Sequence, residues 1–157
     1  MNISNIIASM IQDMLENDGY TEIYTLGKLI HNEQYTSELE KRGVTVAISD
    51  LARCDMHEAI EDAFRYDRLV LASSTYNADV FPYMRTFLSG LTERNYQNRR
   101  VAFIENGSWA PMATKVMKAS LEKSKNLSYA DTEVRIMSAL NDESKAQIIA
   151  LSEEFSK

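Results

Sequence analysis

The sequence predicts an α/β fold, a three-layer sandwich built on a five-stranded parallel sheet of order 2-1-3-4-5 with an extra N-terminal helix. Two runs, Leu69-Val70-Leu71-Ala72 and Val101-Ala102-Phe103-Ile104, are continuously apolar, as strands buried on both faces are. Helix-spaced and strand-like segments alternate along the chain without a low-complexity linker or repeat. Each apolar run ends in a small polar loop, and a helix with proline near its start follows, at Pro82 and Pro111.

The elements follow in order. Ile3, Ile6, Ile7, Met10, Ile11 and Met14 recur at helical spacing and predict a helix over 3–17, ended by Asn17-Asp18-Gly19. A strand is expected from Glu22 to Leu26, then a helix from Glu33 to Lys41, with Asn32 as N-cap and Gly43 beyond its end. Val44 to Ile48 alternates and reads as an edge strand, followed by a helix from Asp55 to Phe64. Strands over 68–73, 100–105 and 133–138 alternate with helices from Pro82 to Leu91, Pro111 to Lys123 and Glu143 to Phe155. In such a sheet the loops after Ser73 and Glu105 lie side by side at the carboxyl edge, where open α/β sheets bind ligands.

The 157 residues are expected to form one domain, 1–157, large enough for a substantial core. A hydrophobic content of 45% with 25% charged residues is that of a soluble globular chain. The formal net charge of −6 argues against a general nucleic-acid role, which needs a basic footprint. The single cysteine, Cys54, excludes an intramolecular disulfide and agrees with a cytoplasmic location. Its acidic neighbour Asp55 favours an inert thiol. No segment is apolar for long enough to cross a bilayer, and no membrane role is expected. Arg94, Arg99 and Arg100 read as a solvated patch, and the methionines as core filler.

The segment from about Val44 onward resembles the flavodoxin-like domain of flavodiiron proteins, the A-type flavoproteins. The residues that carry the resemblance are Asp62-Ala63-Phe64-Arg65-Tyr66, Ala72-Ser73-Ser74-Thr75-Tyr76-Asn77 and the long block from Gln97 to Pro111, which includes Ile104-Glu105-Asn106-Gly107-Ser108-Trp109-Ala110. The resemblance implies a flavodoxin-like fold, an FMN cofactor and electron transfer with a redox protein partner. The histidine- and carboxylate-rich di-iron domain of that family has no counterpart here, since His31 and His57 are the only histidines. An electron carrier is therefore implied rather than a self-contained catalyst, and no catalytic or metal-binding residue is expected.

The first forty-odd residues differ from that pattern. The block Ile23-Tyr24-Thr25-Leu26-Gly27-Lys28-Leu29-Ile30-His31-Asn32, with Glu38-Leu39-Glu40-Lys41-Arg42-Gly43-Val44 after it, is similar to part of hydroxymethylbutenyl diphosphate reductase. In that family the histidine of the Leu-Ile-His-Asn block contacts a diphosphate, which His31 matches. The cluster cysteines of that enzyme are missing. The chain thus reads as a chimera, natural or engineered, joined near Gly43.

Two sets of residues are expected to hold FMN. The turn opening the second helix would cradle phosphate through free N–H groups, with Thr25, Gly27, Lys28, His31 and Asn32 as its members. Tyr76 and Trp109 would lie against the ring, and backbone groups of Thr75, Tyr76 and Asn77 and of Asn106, Gly107 and Ser108 would meet its polar edge, with Ser74 beside them in the site. Gly107 would permit close backbone approach to the ring. The alternative is a cofactor-free, recombined or designed scaffold that has lost its phosphate loop. A homodimer using the N-terminal helix is a further, minor expectation.

Overall fold

A computed structural model describes Leu39 and residues 46–156. The expected helix 3–17, strand 22–26 and phosphate cradle fall outside these residues. Of the expected helix 33–41, only Leu39 is described, and it is helical and buried.

Helix α1 spans Met56–Arg65. Asp55 caps it by accepting from the His57 N–H at 2.7 Å, and Glu58 complements the dipole in the first turn. Its inner stripe is Ala59, Ile60 and Ala63. The outer face carries Arg65 paired with Glu61 at 2.7 Å and Asp62 at 3.0 Å, exposed pairs that add little to stability. The Cys54 thiol just before this helix is pushed up in pKa by burial and then by nearby Asp50, Asp55 and Glu58, as an inert cysteine would be.

Strand β1 runs Arg68–Tyr76 and β3 runs Arg100–Gly107, in parallel register from Arg68 opposite Arg100 to Ser74 opposite Asn106. Between them lie the two-residue strand β2, Asp79–Val80, and helix α2, Pro82–Glu93. Proline opens α2, where a missing N–H costs nothing. A Cβ on Gly90 of α2 would come within 2.4 Å of Ile60 Cδ1, so this glycine lets α1 and α2 pack closely. Helix α3, Ala113–Ser120, strand β4, Ser128–Tyr129, and strand β5, Val134–Met137, follow. Helix α4, Asp142–Phe155, closes the described chain and starts with a reciprocal capping box between Asn141 and Ser144.

β3 is the hub of the sheet. It pairs with β1 on one side and, on the other, in parallel with β4 at its start and β5 at its end. The predicted adjacency of the strands near 68–73, 100–105 and 133–138 is present. Two features depart from the all-parallel, five-strand expectation. β2 folds back antiparallel on β1, and the sheet gains β2 and β4, which are too short to leave a periodic signal. Val46 to Ile48, the described part of the expected edge strand, belongs to no strand.

Alternation along the strands sends side chains to two cores. Leu71, Val101 and Phe103 meet Ile60, Phe87, Leu91, Met117 and Leu121 of the side covered by α1, α2 and α3. Ala72, Ala102, Ile104, Val134 and Ile136 meet Ile148, Leu151 and Phe155 of α4, together with Leu39. Helices therefore cover both faces, which is why β1 and β3 are apolar without interruption. β5 alternates buried and exposed, as its sequence predicts for an edge.

Arg99 and Arg100 are structural ties rather than part of the solvated patch expected, whereas Arg94 is exposed. Arg99 donates to the Phe64 carbonyl at 2.6 Å, joining the end of α1 to the start of β3. Arg100 reaches Glu154 of α4 at 2.7 Å and lies over the Phe155 ring. Arg94 donates to the Gly90 carbonyl at 3.0 Å. Among the described residues no helix is long and apolar enough to cross a membrane, and no cluster of histidine, cysteine and acidic side chains could hold a metal ion.

Candidate functional site

The expected site residues of β1 and β3 come together at one rim. Ser74 and Asn106 are register partners, so the chain leaves the two central strands side by side, toward Tyr76 on one and Trp109 on the other. Trp109 is 88% exposed and Tyr76 38%, well above the usual exposure of large aromatics. The Tyr76 ring meets Phe81 edge-on at 5.3 Å, and Phe81 in turn lies 6.0 Å from the half-exposed Tyr83. Ser108 is exposed, and Ser74 half-buried.

The first rim loop is a hairpin, not the open loop that the sequence suggests. Thr75 pairs with Val80 and Tyr76 with Asp79, leaving Asn77 and Ala78 as the two turn residues. Their φ values of 51° and 59° are both positive, as a type I′ turn requires. Asparagine tolerates this region better than alanine, which occupies it at a steric cost. Asp79 accepts from the Val80 N–H at 2.6 Å and pairs with Arg85 of α2. Burial raises its carboxyl pKa, but the Val80 N–H and Arg85 outweigh that and leave it below the usual range. Replacing Ala78 with glycine is expected to stabilise the protein by about 0.5–1 kcal/mol, because relief of left-handed strain exceeds the added chain entropy. Urea denaturation measures this, and the same substitution at Ala139 serves as control.

Two side chains among the expected site residues bond within the protein itself. The Thr75 hydroxyl accepts from the Met112 and Ala113 N–H groups at 2.8 and 3.1 Å, capping α3 across the strand end. The Asn106 side chain donates to the Ser138 carbonyl at 3.4 Å, and Ser138 N–H returns a bond to the Gly107 carbonyl at 3.1 Å. These bonds tie the loop after β3 to the loop after β5. A Cβ on Gly107 would stand 3.0 Å from Pro111 Cα and Cβ. The close approach expected there is thus made by the chain's own Pro111. Asn77 is exposed at the hairpin tip. Thr25, Gly27, Lys28, His31 and Asn32 lie outside the described residues.

One member of the site is absent from the sequence expectation. Glu105, 2% exposed, is the residue of β3 just before Asn106 and the rim loop. Its Oε1 meets Arg135 Nε at 2.6 Å, and its Oε2 accepts from the Thr114 N–H at 3.0 Å. The signal was present in a weak form: a carboxylate ending an apolar strand needs a partner, and Arg135 stands between Val134 and Ile136. Register between two strands was the missing information.

A cleft of 490 Å³ lies between α3 and β4, lined by Lys118, Leu121, Leu127 and Tyr129 among others. A second, of 260 Å³, lies at β5 and the start of α4, beside Arg135 and Met137. Neither is lined by Tyr76 or Trp109. The small polar groups and the exposed rings nevertheless offer what a flat, polar-edged aromatic ligand needs, namely a stacking face beside hydrogen-bonding backbone.

The fold is the α/β fold of the flavodoxins. Rubredoxin oxygen:oxidoreductase from the anaerobe Desulfovibrio gigas superimposes with a TM-score of 0.72 at 16% identity, over 92% of this chain and 37% of that one. A flavodoxin from the domain Archaea gives 0.64 at 18% identity, covering 80% of this chain and 87% of its own. The flavodiiron protein of Giardia intestinalis gives 0.68 at 13% identity, covering 76% and 30%. The chain thus spans about a third of the larger proteins and most of the small flavodoxin. No family model and no curated protein matches the sequence.

Proposed function

We propose that the protein is an FMN-binding electron-transfer domain that exchanges electrons with a redox protein partner. The observation that carries this reading is the pairing of two exposed aromatics, Tyr76 and Trp109, at the adjacent carboxyl ends of the two central strands. Ligands of open α/β sheets bind beyond those strand ends, where both rings stand exposed. The flavodoxins and flavodiiron proteins among the similar structures support the same cofactor.

In this reading Trp109 and Tyr76 flank the ring. Backbone groups of 75–77 and 106–108, with the Ser74 and Ser108 hydroxyls, meet its polar edge, because the Thr75 and Asn106 side chains are engaged internally. Thr25, Gly27, Lys28, His31 and Asn32 are the proposed phosphate cradle. Bound FMN would supply one- or two-electron transfer, and the protein would bind and orient it while setting its potential. No side chain needs to act as acid, base or nucleophile. The whole chain, 1–157, is proposed as the single domain that does this. The resemblance of its first forty-odd residues to a reductase segment gains no support from the similar structures, and the proposal does not use it.

Titration of the purified chain with FMN tests the proposal. Quenching of flavin fluorescence is expected, with the affinity lowered about two- to tenfold by Trp109→Ala through loss of a stacking contact worth about 0.5–1.5 kcal/mol. Thr25→Ala with His31→Ala tests the cradle: unchanged FMN affinity after both substitutions rules these residues out.

A further inference from the structure

Among the described residues Glu105 is the only charged side chain buried below one-tenth exposure. Its neighbours on the same face of β3, Val101 and Phe103, are apolar and fully buried. A buried ion pair is often no more stabilising than an apolar replacement of similar size, so core stability does not by itself explain a carboxylate here.

Its place explains it better. Glu105 is the residue just before the Asn106–Trp109 rim, and its two oxygens reach the two other elements that bound that loop. Oε2 holds the Thr114 N–H in the first turn of α3, and Oε1 holds Arg135, its register partner on β5. With Thr75 taking the Met112 and Ala113 N–H groups, the first turn of α3 is held by side chains from both central strands. The 106–112 loop is therefore fixed at its start, at its end and, through Arg135, against β5. Only Nε of Arg135 is engaged with Glu105, and its side chain is 55% exposed.

We infer that Glu105 and Arg135 form a positioning pair that sets the backbone of the rim loop and the electrostatic potential beneath the ligand. The electrostatic half of this inference rests on the FMN reading; the positional half does not. A negative charge near the ring opposes the gain of an electron and a positive charge favours it. Removing either charge alone therefore shifts the flavin potential, in opposite directions for the two residues. A purely structural tie behaves differently, because cutting it from either side loosens the same loop.

Two measurements on the full chain decide the matter. The first is amide exchange of Met112, Ala113 and Thr114 in protein free of FMN. Glu105→Leu is expected to speed exchange at Thr114 about tenfold, the loss of one hydrogen bond, and Glu105→Gln to speed it less, since an amide oxygen still accepts. Unchanged exchange in both variants overturns the positional claim whether or not FMN binds. The second is the midpoint potential of FMN-loaded protein. Glu105→Gln is expected to raise it and Arg135→Gln to lower it. Shifts of the same sign, or none, in variants that still bind FMN overturn the electrostatic claim. If the unsubstituted protein leaves FMN fluorescence unquenched, the functional reading fails and the exchange result alone decides whether the pair positions the loop.

Discussion

Phe103→Ala lowers the free energy of unfolding by about 4 kcal/mol, a large part of the margin of a typical domain. Phe103 is 1% exposed at the centre of β3, opposite Leu71 of β1, in the core shared by α1, α2 and α3. Its ring also supports the partly exposed surface nearby: Tyr129 lies 5.5 Å away, and the Lys118 ammonium stands 5.4 Å from its centroid. Truncation opens a cavity that the paired strands cannot close, since β3 is held on both sides, and it also removes the surface on which Lys118 rests. Phe103→Leu keeps most of the volume and is expected to cost less than half as much. Thermal unfolding of both variants against the parent gives the comparison; equal losses would show that volume at this position is not what matters.

Glu154→Ala is expected to cost about 3 kcal/mol, because one carboxylate serves three donors. It accepts from the Asp131 and Thr132 N–H groups at 2.9 and 3.0 Å and from Arg100 at 2.7 Å, joining α4 to the β4–β5 connection and to the start of β3. Its removal leaves two backbone donors and a guanidinium without their acceptor. The same contacts give an acid dependence. Burial raises the Glu154 carboxyl pKa, but the Asp131 and Thr132 N–H groups and Arg100 outweigh it and hold the folded value below the usual glutamate value. A lowered folded pKa means stability that is present above the unfolded value of about 4.3 and lost as pH falls through the folded value. The difference in stability between parent and Glu154→Gln is therefore expected to be full at pH 6 and to shrink below about pH 4. A difference that stays constant down to pH 3 would show that the charge of Glu154 contributes nothing.

The parts of the fold legible in the sequence are those whose cause is local. Two-sided burial wrote β1 and β3 as continuous apolar runs, and the helices expected from Asp55 and from Glu143 start within a residue of α1 and α4. The ends of α3 were misjudged because they depend on distant groups. Thr75 caps Met112 and Ala113, so the helix starts at Ala113 rather than Pro111. The hairpin was missed because its second turn residue is Ala78, where glycine is the usual mark of a type I′ turn. At 46–48 alternation suggested a strand, yet Val46 packs partly buried against the core outside any strand. Alternation reports a buried side, not a hydrogen-bonding neighbour.

The rim was legible as a pair of loops, and its aromatics are where the sequence put them. The roles of its polar residues were not legible. The Thr75 hydroxyl holds the Met112 N–H, the Asn106 side chain reaches the Ser138 carbonyl and Gly107 lies close to Pro111, contacts between distant segments that the sequence does not write. Glu105 was overlooked because its meaning lies in its pairing with Arg135, 30 residues away, which only strand register supplies.

The most direct test of the account is a fluorescence titration of the full chain with FMN, following flavin emission and Trp109, the only tryptophan of the sequence. Binding at the rim predicts saturable quenching of both signals with a common midpoint, and loss of flavin quenching in proportion when Trp109 is replaced by alanine. Flavin emission unchanged at high micromolar protein, or quenching that is indifferent to both Trp109→Ala and Tyr76→Ala, would contradict it.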